Sequence, residues 1–135
     1  MIGIVLISHG SMADGMVDSA KMFFGEAGLA QVGTVSLLPE DSPEVFDERL
    51  TAAIKEVDSG EGVFVLADLL GGTPCNRAAY KCQEGVEVIT GMNLPIFVEL
   101  LGLRMGGNDI DIPGLISTAA GGIVNLNLLL KGDNS

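Results

Sequence analysis

The sequence predicts an α/β fold: a single domain over residues 1–135, built on an open and mostly parallel sheet of four strand–helix units. The first observation is a set of short apolar runs rich in Val, Ile and Leu, each typical of a strand buried on both faces. The second is that longer segments with apolar residues at three- and four-residue spacing separate these runs. This alternation predicts right-handed crossovers with helices on both faces of the sheet.

The N-terminal residues define the first unit. Ile2 to Ile7 is a β-branched apolar run that leads directly to His9, the only histidine in the chain. Ser11 is a favourable N-cap, and Asp14 three residues later completes a capping box for a first helix. Gly25 is expected to end that helix. His9 is therefore predicted at the carboxyl end of the first strand, facing the amino end of the first helix.

The remaining units repeat this pattern. Further strands are predicted at 31–38, 62–67 and 86–90, and further helices at 43–57, 74–80, 95–103 and 112–120. Ser42 and Thr73, each followed by a proline, are the expected N-caps of two of these helices. Residues 104–111 are expected to form a glycine-bearing loop. A last, half-exposed strand is predicted over Gly121 to Asn127, where apolar and polar residues alternate.

Charge and cysteine content narrow the functional class. The net charge of −11 and the pI near 4.2 predict repulsion from nucleic acid and from an anionic membrane surface, and attraction to a basic protein partner. Cys75 and Cys82 fall two turns apart on one predicted helix, too far for a disulfide, and are expected to be reduced, buried thiols of a cytoplasmic protein. The uncharged run from Ile112 to Leu130 is interrupted by proline and glycine and is not expected to span a membrane.

His9 and Asp68 are the candidate catalytic residues. Asp68 ends the third predicted strand, so both side chains are expected along one edge of the sheet, where open α/β sheets bind ligands. A carboxylate that accepts a hydrogen bond from one imidazole nitrogen fixes the tautomer and leaves the other nitrogen as a nucleophile. Two plainer interpretations stay open here: His9 as a structural loop histidine, and Asp68 as a cap of the glycine turn that follows it.

The residues around this pair are suited to an anion such as a phosphoryl group. The candidate phosphoryl-binding residues supply backbone amides at two predicted helix starts, and some also supply hydroxyl groups. They are Ser8, Gly10, Ser11, Gly71, Gly72 and Thr73. Ser11 and Thr73 are equally well explained as ordinary N-caps. The sequence contains no nucleotide-binding glycine motif and no His or Cys cluster with metal-ligand spacing, so no cofactor or metal is expected.

Three segments together resemble the signatures of the mannose-family EIIA component of the bacterial phosphoenolpyruvate-dependent sugar phosphotransferase system. They read GIVLISHG at residues 3–10, DLLGGTPCN at 68–76 and GMNLP at 91–95. Each motif alone is modest, but the three match in order and spacing across nearly the whole chain. The resemblance implies a phosphoryl carrier in which His9 is phosphorylated on its tele nitrogen, Nε2, and Asp68 orients His9. It also implies that Thr73 and nearby amides contact the phosphoryl group.

The resemblance also implies the partners. His9 is expected to accept a phosphoryl group from the phosphohistidine of the carrier protein HPr and to pass it to a histidine of an EIIB component. EIIB then phosphorylates the incoming sugar at a membrane permease. No EIIB sequence follows Ser135, so EIIB is expected on a separate chain. The resemblance further implies a homodimer in which the strand near Gly121 to Asn127 crosses to the partner and pairs antiparallel at its sheet edge.

Two other functions stay open at this point. One is the phosphohistidine carrier subunit of phosphotransferase-dependent dihydroxyacetone kinase, whose turn after the aspartate looks like Gly-Ser-Ala. The other is a regulatory module in which the cleft at His9 binds a small anion without turnover.

Overall fold

The computed structural model describes residues 1–132, apart from the side chains of residues 83 and 84. The strands are β1 Gly3–His9, β2 Val32–Leu37, β3 Val63–Ala67 and β4 Val86–Ile89. The helices are α1 Met12–Phe24, α2 Pro43–Val57, α3 Thr73–Ala79, α4 Leu94–Gly106, α5 Ile112–Ala120 and α6 Leu126–Leu130, with short 3-10 turns at Ala27–Leu29 and Tyr80–Glu84. The four strands form one parallel sheet in the order β2-β1-β3-β4.

Helices cover both faces of this sheet. Alternate side chains of a strand point to opposite faces, and β1 divides its residues in this way. Ile4 and Leu6 pack into a cluster with α1, α4 and α5, whereas Val5 and Ile7 pack into a second cluster with α2 and α3. The predicted parallel sheet with helices on both faces is therefore confirmed.

The strand order brings the ends of β1 and β3 together. Ile7 is paired in register with Ala67, and the Asp68 amide donates to the Ile7 carbonyl at 3.1 Å. β2 lies on one side of β1 and β3 on the other. The direction in which successive strands are added to the sheet therefore reverses between β1 and β3. Open α/β sheets bind ligands at such a switch point, beyond the carboxyl ends of the strands.

The start of α1 differs from the predicted capping box. Ser11 occupies the N-cap position, but its side chain makes no capping hydrogen bond. Asp14 instead accepts a hydrogen bond from Thr34 on β2. The cap comes from Ser8, whose buried Oγ accepts from the Ala13 amide at 2.9 Å. The capping-box pattern considers only the N-cap residue and the residue three positions later. Ser8 lies inside β1, and only the turn between β1 and α1 brings its hydroxyl to the start of the helix.

The predicted caps of the next two helices have different outcomes. Ser42 is confirmed as the N-cap of α2, since its Oγ accepts from the Val45 amide at 3.2 Å. The prediction for α3 is wrong by one residue: Gly72 is the N-cap and Thr73 is the first helical residue, without a side-chain cap.

α4 ends later in the chain than the sequence pattern predicts. The helix continues to Gly106 instead of ending at Leu103. Arg104, expected in a loop, is buried and donates to the carbonyls of Ile2 and Gly28, both at 3.1 Å. Burial lowers the pKa of this guanidinium. These carbonyls come from distant parts of the chain, so local sequence gave no sign that an arginine would be accommodated here.

The predicted strand over Gly121 to Asn127 is wrong for the single chain. Gly121 ends α5, and the Asn125 side chain accepts from the Leu128 amide at 3.4 Å to cap the short helix α6. A strand needs a neighbour for its backbone groups, and within residues 1–132 β4 pairs only with β3. Without a partner strand, Asn125 and the leucines that follow it form the capped short helix α6.

The cysteines and the apolar C-terminal run also have defined places. Cys75 is buried in α3, whereas Cys82 is exposed in the following 3-10 turn, so the expectation of two buried thiols is wrong for Cys82. Both are free thiols. The run from Ile112 to Leu130 is divided between α5 and α6, and in the described part of the chain no helix is long and apolar enough to cross a membrane.

The cap of α1 yields a stability prediction. Ser8→Ala removes the acceptor for the Ala13 amide, so we expect a loss of about 1–2 kcal/mol in the free energy of unfolding. Ser11→Ala is the matched control, expected to change it by less than about 0.5 kcal/mol. Urea unfolding measures both. A larger loss for Ser11→Ala than for Ser8→Ala would show that Ser11 caps α1, as the capping-box pattern predicts.

Candidate active site

His9 and Asp68 are brought to one edge of the sheet by β1 and β3. His9 is the last residue of β1, and Asp68 directly follows β3. By strand alternation His9 continues the row of Val5 and Ile7 and faces the α2–α3 side of the sheet. Ser8 continues the other row and faces α1. The two neighbouring residues therefore serve opposite faces.

The Asp68 carboxylate holds His9 by two hydrogen bonds to a single oxygen. Its Oδ2 lies 2.7 Å from Nδ1 of the imidazole and 2.8 Å from the backbone nitrogen of the same histidine. Its Oδ1 accepts from the Leu69 amide at 2.8 Å. Asp68 thus makes contacts both with its own turn and with the backbone and ring of His9, so a turn cap describes only part of its contacts.

These hydrogen bonds keep Asp68 ionised. Burial alone would raise the pKa of its carboxyl, but the hydrogen bonds from the His9 amide, the His9 ring and the Leu69 amide together hold the pKa below its ordinary value. An ionised carboxylate only accepts hydrogen bonds. The neutral imidazole therefore carries its proton on Nδ1 and its lone pair on Nε2.

The pair differs strongly in exposure. The Asp68 side chain is 8% exposed, whereas the His9 side chain is 47% exposed. The carboxylate is shielded from water, whereas the imidazole that it contacts is about half exposed. Exposed apolar side chains occupy the neighbouring loops and helix start, namely Met12, Leu69 and Leu70.

The glycine turn after Asp68 lies against the ring. Gly71 has a φ of 94°, a left-handed conformation that favours glycine, and Gly72 contacts the Cε1–Nε2 edge of His9. The amide of Thr73, in the first turn of α3, has no acceptor within its own helix. Of the candidate phosphoryl-binding residues, Gly72 is placed against the His9 ring, and Gly71 and Thr73 flank it in the chain.

Asn76 belongs to this turn and was not among the predicted site residues. Its side-chain Nδ2 donates to the Gly71 carbonyl at 3.2 Å, and its amide donates to the Gly72 carbonyl at 2.8 Å. The turn is thereby tied to α3. A polar side chain in the first turn of a mostly apolar helix was the available signal.

The other candidate phosphoryl-binding residues are placed differently. Ser8 is fully buried, and its Oγ donates to the Gly10 carbonyl at 3.1 Å as well as capping α1, so the structure does not bring it to the site. The Gly10 amide is already bound to the Leu37 carbonyl at 2.8 Å, because the pairing with β2 runs to the end of the strand. Ser11 is exposed and remains near the start of α1.

Among the described residues, no group of three or more His, Cys, Asp or Glu side chains is arranged to hold a metal ion.

Known proteins with related sequences have names that point to one system. The chain is 35% identical over 105 residues to the PTS system mannose-specific EIIAB component of Escherichia coli (strain K12), covering 76% of this chain and 32% of that protein. The chain therefore spans about a third of that relative's length. It is 31% identical over 106 residues to the PTS system fructose-specific EIIA component of Bacillus subtilis (strain 168), covering 77% of this chain and 71% of that one.

A solved structure agrees with these sequences. The PTS IIA protein associated with the fucose utilization operon from Streptococcus pneumoniae superposes with a TM-score of 0.85 at 32% identity, over 96% of both chains. A family model described as PTS system fructose IIA component matches residues 3–111, a segment that contains both His9 and Asp68. This chain therefore belongs to the mannose/fructose-type EIIA family of the bacterial phosphotransferase system.

Proposed function

We propose that this protein is a phosphoryl carrier of a sugar phosphotransferase system, with His9 as the acceptor. The observation that carries the proposal is the 2.7 Å contact between His9 Nδ1 and Asp68 Oδ2. It holds the ring proton on Nδ1, so the nucleophilic lone pair lies on Nε2. The accepting atom is therefore Nε2, and the product is a tele-phosphohistidine.

The transfer is a direct exchange between two imidazoles. The Nε2 lone pair attacks the phosphorus of the phosphohistidine of HPr, the P–N bond of the donor breaks, and its electron pair returns to the donor ring. The His9 proton stays on Nδ1, where Asp68 stabilises the positive charge of the phosphorylated ring. In the onward step, a histidine of EIIB attacks the phosphorus on His9, the P–N bond to Nε2 breaks, and its electron pair returns to the His9 ring.

The protein's contribution is positioning and charge stabilisation. The amides of Gly71, Gly72 and Thr73, with the Thr73 hydroxyl, are the proposed donors to the phosphoryl oxygens. Ser11 is a further candidate because it is exposed. Ser8 and Gly10 are not included, since the Ser8 hydroxyl and the Gly10 amide already have partners.

The surface charge supports a basic protein partner. The loop before α2 and the first half of that helix carry five carboxylates, at Glu40, Asp41, Glu44, Asp47 and Glu48. Asp41 is paired with Arg49 and Asp47 with Arg77, so the remaining negative charge comes from the three glutamates. In a chain of net charge −11, this region steers a positively charged face and favours fast association. We propose that residues 1–135 act as one EIIA unit and that HPr docks at this acidic loop and helix start. The proposed acceptor is an EIIB component that acts with the membrane permease.

We also propose a homodimer that covers the C-terminal segment 121–130. Large apolar side chains of this segment are exposed in the single chain. They are Ile123 at 79%, Val124 at 59%, Leu126 at 57%, Leu128 at 41%, Leu129 at 49% and Leu130 at 78%. A run of this kind marks an interaction surface, and in the proposed dimer it crosses to the partner and pairs with the open edge of β4.

The first prediction concerns the acceptor. Incubation with phosphoenolpyruvate, enzyme I and HPr is expected to add one phosphoryl group to the wild-type protein, and His9→Ala is expected to add none while keeping its fold. Intact mass at alkaline pH, which preserves phosphohistidine, measures both. A His9→Ala protein that is still labelled would exclude His9. An unlabelled wild type that phosphate stabilises against heat would favour an anion-binding module.

The second prediction concerns Asp68. Asp68→Asn presents an amide to Nδ1 in place of a pure acceptor, so the proton is no longer held there and phosphorylation by phospho-HPr is expected to slow by roughly 10²-fold or more. Rapid-quench kinetics measures this rate. Asp58→Asn is the matched control, because Asp58 also accepts from a backbone amide, that of Gly60 at 2.8 Å, but at the opposite edge of the sheet. Equal rates for wild type and Asp68→Asn would leave Asp68 as a turn residue only.

The third prediction concerns the dimer. Sedimentation equilibrium is expected to give a dimer for the wild type, and Ile123→Asp is expected to weaken it by roughly 30-fold or more because a charge enters the apolar contact. Met22→Asp, at an apolar position on α1 that is 89% exposed, is the control and should remain dimeric. A monomeric wild type would rule the dimer out.

A further inference from the structure

Gly72 has no backbone reason to be glycine. Its φ of −79° and ψ of 171° lie in the extended region that every residue adopts. Neighbouring Gly71 differs, since its φ of 94° favours glycine. The reason for a glycine at position 72 therefore lies outside its own backbone.

The helix that follows also gives no reason for glycine. Gly72 is the N-cap of α3, where a serine, aspartate or asparagine side chain would accept a hydrogen bond from the first turn. The N-caps of α2, α4 and α5 are of this kind: Ser42, Asn93 and Asp111 each accept a backbone hydrogen bond. α3 has no side-chain cap. Local helix stability thus favours a side chain that position 72 lacks.

The imidazole of His9 occupies the space that such a side chain would need. A β-carbon on Gly72 would lie 2.5 Å from Cε1 and 3.0 Å from Nε2 of the ring, and 3.5 Å from Cδ1 of Leu69. The first distance is shorter than real contacts allow. Because the His9 side chain is 47% exposed, the ring has room to swing outward while the backbone stays in place.

We propose that Gly72 is a positioning residue for His9, and that its missing side chain forms the seat of the imidazole. Asp68 holds the Nδ1 side of the ring, and Gly72 bounds the Cε1–Nε2 edge. Any side chain at position 72 displaces the ring, breaks the 2.7 Å contact with Asp68 and releases the proton from Nδ1. The consequence for phosphoryl transfer rests on the function proposed above, whereas the position of the ring does not.

The test compares Gly72→Ala and Gly72→Ser with a matched glycine substitution. Gly15→Ala is the control, because a β-carbon at this position in α1 meets nothing within 4 Å. Gly72→Ser is included because serine is a good N-cap and is expected to preserve α3. Thermal unfolding and circular dichroism establish that each variant is folded.

The first measurement is the tautomer of the histidine by nitrogen-15 NMR, which needs no phosphorylation and no assignment because the chain has a single histidine. Wild type and Gly15→Ala are expected to show the neutral ring protonated on Nδ1. Both Gly72 variants are expected to show a mixture of the two tautomers, as a ring free in water does. The second measurement is the rate of phosphorylation by phospho-HPr, expected to fall roughly 10-fold or more in the Gly72 variants only.

Each result bears on one proposal. A mixed tautomer with slow phosphorylation in the Gly72 variants supports the seat. An unchanged tautomer overturns it whatever the rate, and a mixed tautomer with an unchanged rate overturns the positioning role in transfer. Loss of folding in both Gly72 variants, with Gly15→Ala folded, also overturns it, because glycine is then required for the fold. If the wild type is not phosphorylated at all, the proposed function fails, and the tautomer alone decides whether Gly72 seats the ring.

Discussion

The site depends on one carboxylate oxygen that binds the same histidine twice. Asp68 Oδ2 meets both the backbone nitrogen and the ring nitrogen of His9, so the position of the residue and the angle of its ring are set together. This geometry requires β1 and β3 to be neighbours with aligned ends, and the strand order β2-β1-β3-β4 supplies that alignment. The parallel topology is thus the condition for the chemistry.

Much of the fold follows from local pattern. β1 and β3 are short, buried apolar runs, and α2 is marked by Ser42, Pro43 and an apolar stripe, so periodicity and capping rules identify these elements. The errors lie where a distant contact decides the outcome. Arg104 extends α4 because carbonyls from Ile2 and Gly28 accept its hydrogen bonds. Segment 121–127, read as a strand, has no neighbouring strand among the described residues and becomes a coil followed by α6.

In the candidate site, too, some features follow from local sequence pattern and others depend on distant contacts. His9 and Asp68 were predictable because each follows a buried strand, and parallel strands end at one edge of a sheet. The hydrogen-bond partners of Ser8 and Gly10 could be known only from the fold: the Ser8 hydroxyl accepts from the Ala13 amide, and the Gly10 amide donates to the Leu37 carbonyl. The contact between Gly72 and the imidazole edge is likewise invisible in sequence, since it joins two loops of different units.

The alternation of Ser8 and His9 has a mechanical consequence. Ser8 binds the end of β1 to α1 on one face, and on the opposite face His9 is hydrogen-bonded to Asp68, so contacts on both faces hold the end of the strand. In the function proposed above, the accepting histidine is the last residue of a buried strand and is already in place before a partner arrives. The time of each proposed transfer is then governed by how quickly two proteins meet and separate.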